Sequence, residues 1–222
     1  MTDRAPSILL DAIQRDLQPV RPLAPPAQRA LGLLPVALIL LVGMPLFWTW
    51  RTHAVLAPAT AWGWSILESA LSLVVLAAAF REAVPGRELS TRSLCYLVCI
   101  ACAGIFLVNA TTPVPETAPS HTWLRWSWEC LSQTMAFSLP ALAVPAWLVA
   151  RALPNRPALT GALCGLGIGT MADAGLRLFC WDGDTPHVVL VHGGAIVILV
   201  AFGALSAFVV ERVKARAARS AA

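Results

Sequence analysis

The chain has 222 residues, of which 58% are hydrophobic and 13% charged, with a mean hydropathy of +0.70. Ordinary soluble domains are about 45–50% apolar and about 25% charged, so a water-soluble fold of this length could not hide these side chains. A net charge of +4 raises the question of a nucleic-acid partner, but the basic residues sit in short clusters between apolar runs. That distribution fits membrane topology and argues against direct nucleic-acid contact.

In chain order, residues 1–28 form a tail that precedes the first long apolar run. Ser7 is placed to cap a short helix in which Leu9, Ile13 and Leu17 share an apolar stripe, with Arg15 elsewhere on its surface. Pro19, Pro22, Pro25 and Pro26 then impose an extended connector around Arg21. By itself such a helix is marginal. Two readings stay open: a segment resting on the membrane or disordered, and a partner-binding segment that folds on contact.

Six stretches follow that can cross a hydrocarbon core about 30 Å thick, which takes about 20 helical residues. They run over 29–50, 62–81, 93–110, 130–150, 158–177 and 189–210. The prediction is an all-α, polytopic membrane bundle of about six helices spanning 29–210, with a basic tail over 211–222. A cleavable signal peptide is the competing reading of the first span. The long acidic-containing tail before it, and an apolar run about twice the usual signal core, argue against that.

Lys and Arg decide the orientation, because positive loops stay cytoplasmic. The two tails, the adjoining Arg29 and the loops near 81–92 and 151–156 hold thirteen of them, and the opposite loops hold only Arg51, Arg125 and Arg177. Both termini are therefore expected inside, with the loops near 51–61, 111–129 and 178–188 outside. Tryptophans agree: Trp48, Trp50, Trp62, Trp64, Trp123, Trp126, Trp128 and Trp181 gather at the outer boundary, where indole prefers the interface.

Polar groups inside a membrane are costly and point to function. Glu68, Glu129, Asp173, His187 and His192 all map to the outer side, as do Cys130 and Cys180 at the ends of their spans. These two thiols, at similar depth, can form a disulfide, remain as inert cysteines, or join His187, His192, Met135 or Met171 as ligands for copper, zinc or cadmium. His187 and His192 are five residues apart and diverge by about 140° on a straight α-helix, which makes them a poor pair there. Asp173 and Arg177 are spaced to pair at i,i+4. Glu68 and Glu129 have no local partner and are assigned to the same outer cluster. Cys95, Cys99 and Cys102 recur on one face of the third span, where helix packing is favoured over metal binding. There is no phosphate-binding glycine loop, HExxH, nucleophile elbow or reactive CxxC, so a conventional enzyme is not expected.

Asp16-Leu17, the run Pro19-Val20-Arg21-Pro22-Leu23-Ala24-Pro25-Pro26, six spans, Trp128-Glu129-Cys130 with Pro140 following, and Phe179-Cys180 with His187 and His192 downstream resemble the NrsF family of membrane-bound anti-sigma factors. The resemblance covers essentially the whole chain. It implies a bacterial inner-membrane protein whose tail sequesters an extracytoplasmic-function sigma factor and whose outward cysteines, matched here by Cys130 and Cys180, sense heavy metal or oxidative stress. The tail lacks a zinc-binding HxxxCxxC, so contact with the sigma factor would rest on the short helix and its arginines: Leu9, Ile13, Arg15, Leu17 and Arg21. Partners are then the sigma factor and membrane lipids. The competing function is a small metal or solute transporter, or an accessory subunit of one, which would need polar residues along a path through the bilayer. A membrane thiol oxidoreductase is a third reading.

Overall fold

The computed structural model describes residues 22–48, 59–111, 123–152, 154–180 and 185–220, together with Asp11. Among these residues the only regular secondary structure is helical, arranged in six segments. The first, α1 (residues 26–48), opens as Pro26–Leu31, resumes at Leu34–Leu38, loosens into a π turn over Ile39–Gly43 and closes with Met44–Trp48. Pro26 suits the first helical position because its missing N–H would be unsatisfied there anyway. The next four are α2 (Ala59–Glu82), α3 (Thr91–Thr111), α4 (Trp123–Ala150) and α5 (Pro157–Leu176). The last, α6 (residues 185–220), starts with Thr185–His187, passes through a π turn at Val188–His192 and runs on as Gly193–Ser220.

Five of these segments contain stretches long and apolar enough to cross a membrane: Pro26–Leu46, Trp62–Glu82, Ser127–Ala150, Pro157–Leu176 and Val188–Ala217. The apolar part of α3 is shorter, Thr91–Leu107. The six expected spans thus correspond one to one with the six segments. Residues 211–220, read as a separate basic tail, continue α6 without a break.

The bundle is built around α5. In its span 83% of residues are buried, against 33–44% in the other four, so α5 is the helix that the others wrap. Its sequence explains the position. Gly161 and Gly165 press against the backbone of α6, and a Cβ on either would overlap the carbonyl of Gly203 or Leu199. On other faces, Gly167 receives the Leu76 side chain of α2, and Gly175 touches the Leu40 carbonyl of α1. Between membrane helices there is little hydrophobic driving force, so close backbone approach through small residues takes over the work of packing. Leu76, Phe80, Ile168, Met171 and Leu199 fill the remaining core.

The helix α3 stays at the margin. Cys95, Cys99 and Cys102 are exposed on it, alongside Tyr96 and Phe106. The packing role expected for the three cysteines is therefore not realised within the chain: they lie exposed on the outer surface of the bundle.

One end of the bundle is tied together by polar contacts. The buried Glu82 carboxylate accepts the Leu89 N–H at 2.8 Å and pairs with Arg156, which also donates to the Leu89 carbonyl at 3.1 Å. Asn155 donates to Glu88 at 2.7 Å, so the α2–α3 and α4–α5 connections are joined. These bonds and the Arg156 charge hold the exposed Glu88 carboxyl below its ordinary range, with its own backbone N–H and Asn155 as the leading causes. At the same end Arg29 is buried. It donates to the Leu148 carbonyl and lies over the Phe80 ring at 4.5 Å from the centroid. Glu211 of α6 lines a mostly apolar cavity of about 160 Å³ there with Ala150 and Pro157. The foot of α1 and the end of α6 therefore share one end of the bundle.

Candidate functional site

The other end carries a buried cluster made from four segments. Cys130 comes from the second turn of α4, near its start. Cys180 follows α5 on a tight extension, in which the Arg177 N–H bonds to the Asp173 carbonyl and the Cys180 N–H to that of Leu176 at 2.8 Å. His187 and His192 bracket the π turn of α6.

The Cys130 and Cys180 sulfurs are 3.7 Å apart, and the Cys180 sulfur is 3.4 Å from His187 Nε2. The three potential ligand atoms of Cys130, Cys180 and His187 all lie within 4.8 Å of one another. At 3.7 Å the two sulfurs are in contact but not bonded to each other. The fold thus brings the ligand atoms of these three residues together.

The histidines require a correction. On a straight helix they would diverge, yet their rings meet edge to face with centroids 5.4 Å apart. The reason is the π turn over Val188–His192: its i→i+5 hydrogen bonds widen the helix locally, so residues five apart return to one side. His192 is still differently employed from His187. Its Nδ1 lies 2.6 Å from Asp173 Oδ1, while it also interacts with the Cys180 side chain.

Asp173 and Arg177 pair as their spacing predicts, with Arg177 Nε and Nη2 donating to Asp173 Oδ2 at 2.8 and 2.6 Å. The same guanidinium reaches Glu68 Oε2 of α2 at 3.3 Å. Glu68 therefore does join the cluster, through a tertiary partner that spacing does not reveal. A chain of polar contacts runs from α6 through α5 to α2, His192 to Asp173 to Arg177 to Glu68. Glu129 is half-buried beside Cys130. Met171 and Met135, considered as sulfur ligands, belong instead to the main apolar core around α5.

The surroundings set the electrostatics. Met44, Leu176, Phe179 and Val191 pack around the buried Cys130, with the partly buried Cys180 against them. The Cys180 thiol is pushed above its ordinary value, first by its contact with the Cys130 thiol and then by burial, and contacts with the two histidines only partly offset this. For Arg177 burial pulls downward, but the Asp173 and Glu68 carboxylates outweigh it and hold the guanidinium above its usual value. Two close thiols beside an imidazole can bind a soft metal ion, or lose two electrons and two protons to an oxidant and become a disulfide.

The residues expected to bind a partner, Leu9, Ile13, Arg15, Leu17 and Arg21, lie outside the described residues. The sequence reading also missed the glycines of α5. Gly161, Gly165 and Gly169 recur every four residues, the small-residue spacing that marks close helix contact in membranes.

A protein-family model described as NrsF, negative regulator of sigma F, matches residues 13–212, almost the whole chain. No curated protein and no solved structure matches.

Proposed function

The chain belongs to the NrsF family of negative regulators of a sigma factor, and from that premise we propose that it holds an extracytoplasmic-function sigma factor at the bacterial inner membrane and releases it on a signal from the opposite side. The tail, residues 1–28, is the sigma-binding segment in this reading. The thiol cluster faces the periplasm and takes up heavy metal or oxidant, and both termini lie in the cytoplasm.

One observation carries the reading. Cys130 stands near one end of α4, while the Leu148 carbonyl near the other end receives Arg29 at the foot of the tail. Eighteen helical residues separate them, about 27 Å, comparable to the hydrocarbon core. In this reading, input and output sit at opposite ends of one rod. The bias of Lys and Arg toward the Arg29 end supports placing that end inside. To change the sigma-bound fraction from about 99% to about 1%, the signal must prefer the released state by roughly 5.5 kcal/mol. Formation of metal–thiolate bonds or of a disulfide is on that scale.

Deleting residues 1–28 tests the output. Transcription from the target promoter is expected to become constitutive while the remaining protein still inserts. Promoter activity that stays repressed after the deletion would remove the tail from the mechanism. For the input, Cys130→Ser and Cys180→Ser are each expected to abolish induction by metal, measured with the same reporter.

A further inference from the structure

Resting on that sensory reading, we propose that Cys130, Cys180, His187 and His192 together form a four-coordinate site for a soft divalent ion of the zinc or cadmium class, and that Asp173 is the positioning residue that holds His192 for it.

The distances favour a metal over a disulfide as the natural occupant. Two thiolate sulfurs bound at about 2.3 Å to one tetrahedral ion stand about 3.8 Å apart, and a sulfur and an imidazole nitrogen about 3.6 Å apart. Cys130 and Cys180 present 3.7 Å, and Cys180 and His187 present 3.4 Å. A disulfide would require the sulfurs to close to about 2.05 Å. Two edges of the triangle are thus already close to those of a coordination tetrahedron, and the third is within 4.8 Å.

The fourth corner falls to His192, which lies outside the 4.8 Å group of the other three and is drawn in when the ion binds. His192 Nε2 is buried with no hydrogen bond of full geometry among the described residues, and the His192 ring contacts the Cys180 thiol. Asp173 accepts the proton on His192 Nδ1 at 2.6 Å, which fixes the tautomer with its lone pair on Nε2, the arrangement seen behind metal-bound histidines. Arg177 in turn anchors Asp173. The π turn gains a purpose, since without it His187 and His192 would point apart.

Binding balances simply. The ion replaces the protons of two thiols, both protons leave to solvent, and the thiolates neutralise the divalent charge. Two sulfurs and two imidazoles select zinc or cadmium and disfavour magnesium or calcium, which prefer oxygen. Drawing His192 fully onto the ion also pulls on Asp173, and so on Arg177 and Glu68, which extends the effect from α6 to α5 and α2.

The test uses the reduced full-length protein in detergent, titrated with cadmium chloride alone. The readouts are thiolate-to-cadmium absorbance, the cadmium-113 resonance, and affinity by competition with a chromophoric chelator. One ion per chain is expected, with a resonance typical of mixed sulfur and nitrogen ligation. His187→Ala and His192→Ala should each move that resonance toward fewer nitrogens and weaken affinity by at least tenfold, and Asp173→Asn should weaken it by about 10–100-fold. His187→Gln, which preserves bulk, serves if an alanine variant does not fold. Histidine variants that bind like the wild type overturn the four-ligand site while leaving the cysteine reading intact. Absence of cadmium binding, with oxidant induction retained in cells, overturns it in favour of a disulfide. Unchanged induction in the Cys130→Ser and Cys180→Ser strains instead defeats the sensory reading itself.

Discussion

Asp173 and His192, nineteen residues apart on neighbouring helices, are joined by an Oδ1···Nδ1 contact of 2.6 Å in the buried interior of the bundle. This contact links the thiols and their histidines to the arginine shared by two carboxylates. Asp173 is therefore the residue whose loss should be felt furthest.

Replacing Asp173 by Ala takes from Arg177 its closest carboxylate and from His192 its acceptor. Breaking a buried ion pair by removing one partner costs about 3–5 kcal/mol. Asp173→Asn keeps the shape and one acceptor oxygen and is expected to cost less. Unfolding of the detergent-solubilised protein by heat or denaturant measures both, and an Ala variant as stable as the wild type would show that the pair contributes nothing net.

The glycines of α5 give a prediction with its own control. A side chain at Gly165 would overlap the Leu199 carbonyl and the Val200 Cα, all backbone that cannot step aside. Gly165→Val should force α5 and α6 apart and destabilise the protein by about 3 kcal/mol or more, the upper end of ordinary overpacking. Gly63 and Gly194 have open space where a Cβ would stand, so Ala at either is expected to be neutral or slightly stabilising through its better helix propensity. Stability and yield of the three variants, compared side by side, decide the matter.

Thiol chemistry should follow the electrostatics of Cys180. A raised value means that the thiol stays protonated at pH 7 and that the reactive thiolate appears only as the pH climbs past the ordinary cysteine value of about 8.5. In protein retaining Cys130 and Cys180 as its only cysteines, alkylation of Cys180 should be slow near neutrality and still accelerating above about pH 9. Cys130→Ala removes the largest cause of the shift, so the rise should move to lower pH. A profile that levels off below about pH 8 contradicts this. Mass spectrometry of the alkylated peptides gives the rates.

Much of this architecture could be read from the sequence, and the reason differs from feature to feature. A run of about 20 apolar residues has few alternatives to a membrane helix, so the six segments were visible. Asp173 and Arg177 were legible because they are neighbours on one turn, and Cys130 and Cys180 because the ends of their spans fall at one depth. The pairing of Glu68 with Arg177 was hidden, since it depends on which helices pack together. The π turn was hidden too: hydrogen bonds that shift by one residue leave no mark in hydrophobic periodicity, and the straight-helix geometry applied to His187 and His192 failed for that reason. Cys95, Cys99 and Cys102 misled in another way. Their regular spacing defines a face, and spacing alone does not say whether that face meets a helix or lipid.

The bare backbone of α5 has a geometric consequence for everything near its end. Helices separated by ordinary side chains keep their axes about 8–10 Å apart. An axis of glycine is slimmer, and it lets α1, α2 and α6 converge on the same centre line. At that girth a carboxylate as short as Asp173 can touch a histidine on one flank while its arginine reaches a glutamate on the other. Thicken the spindle by a layer of methyl groups and those reaches fall short. The glycines, which carry no chemistry, thus set the calibre at which the chemistry assembles.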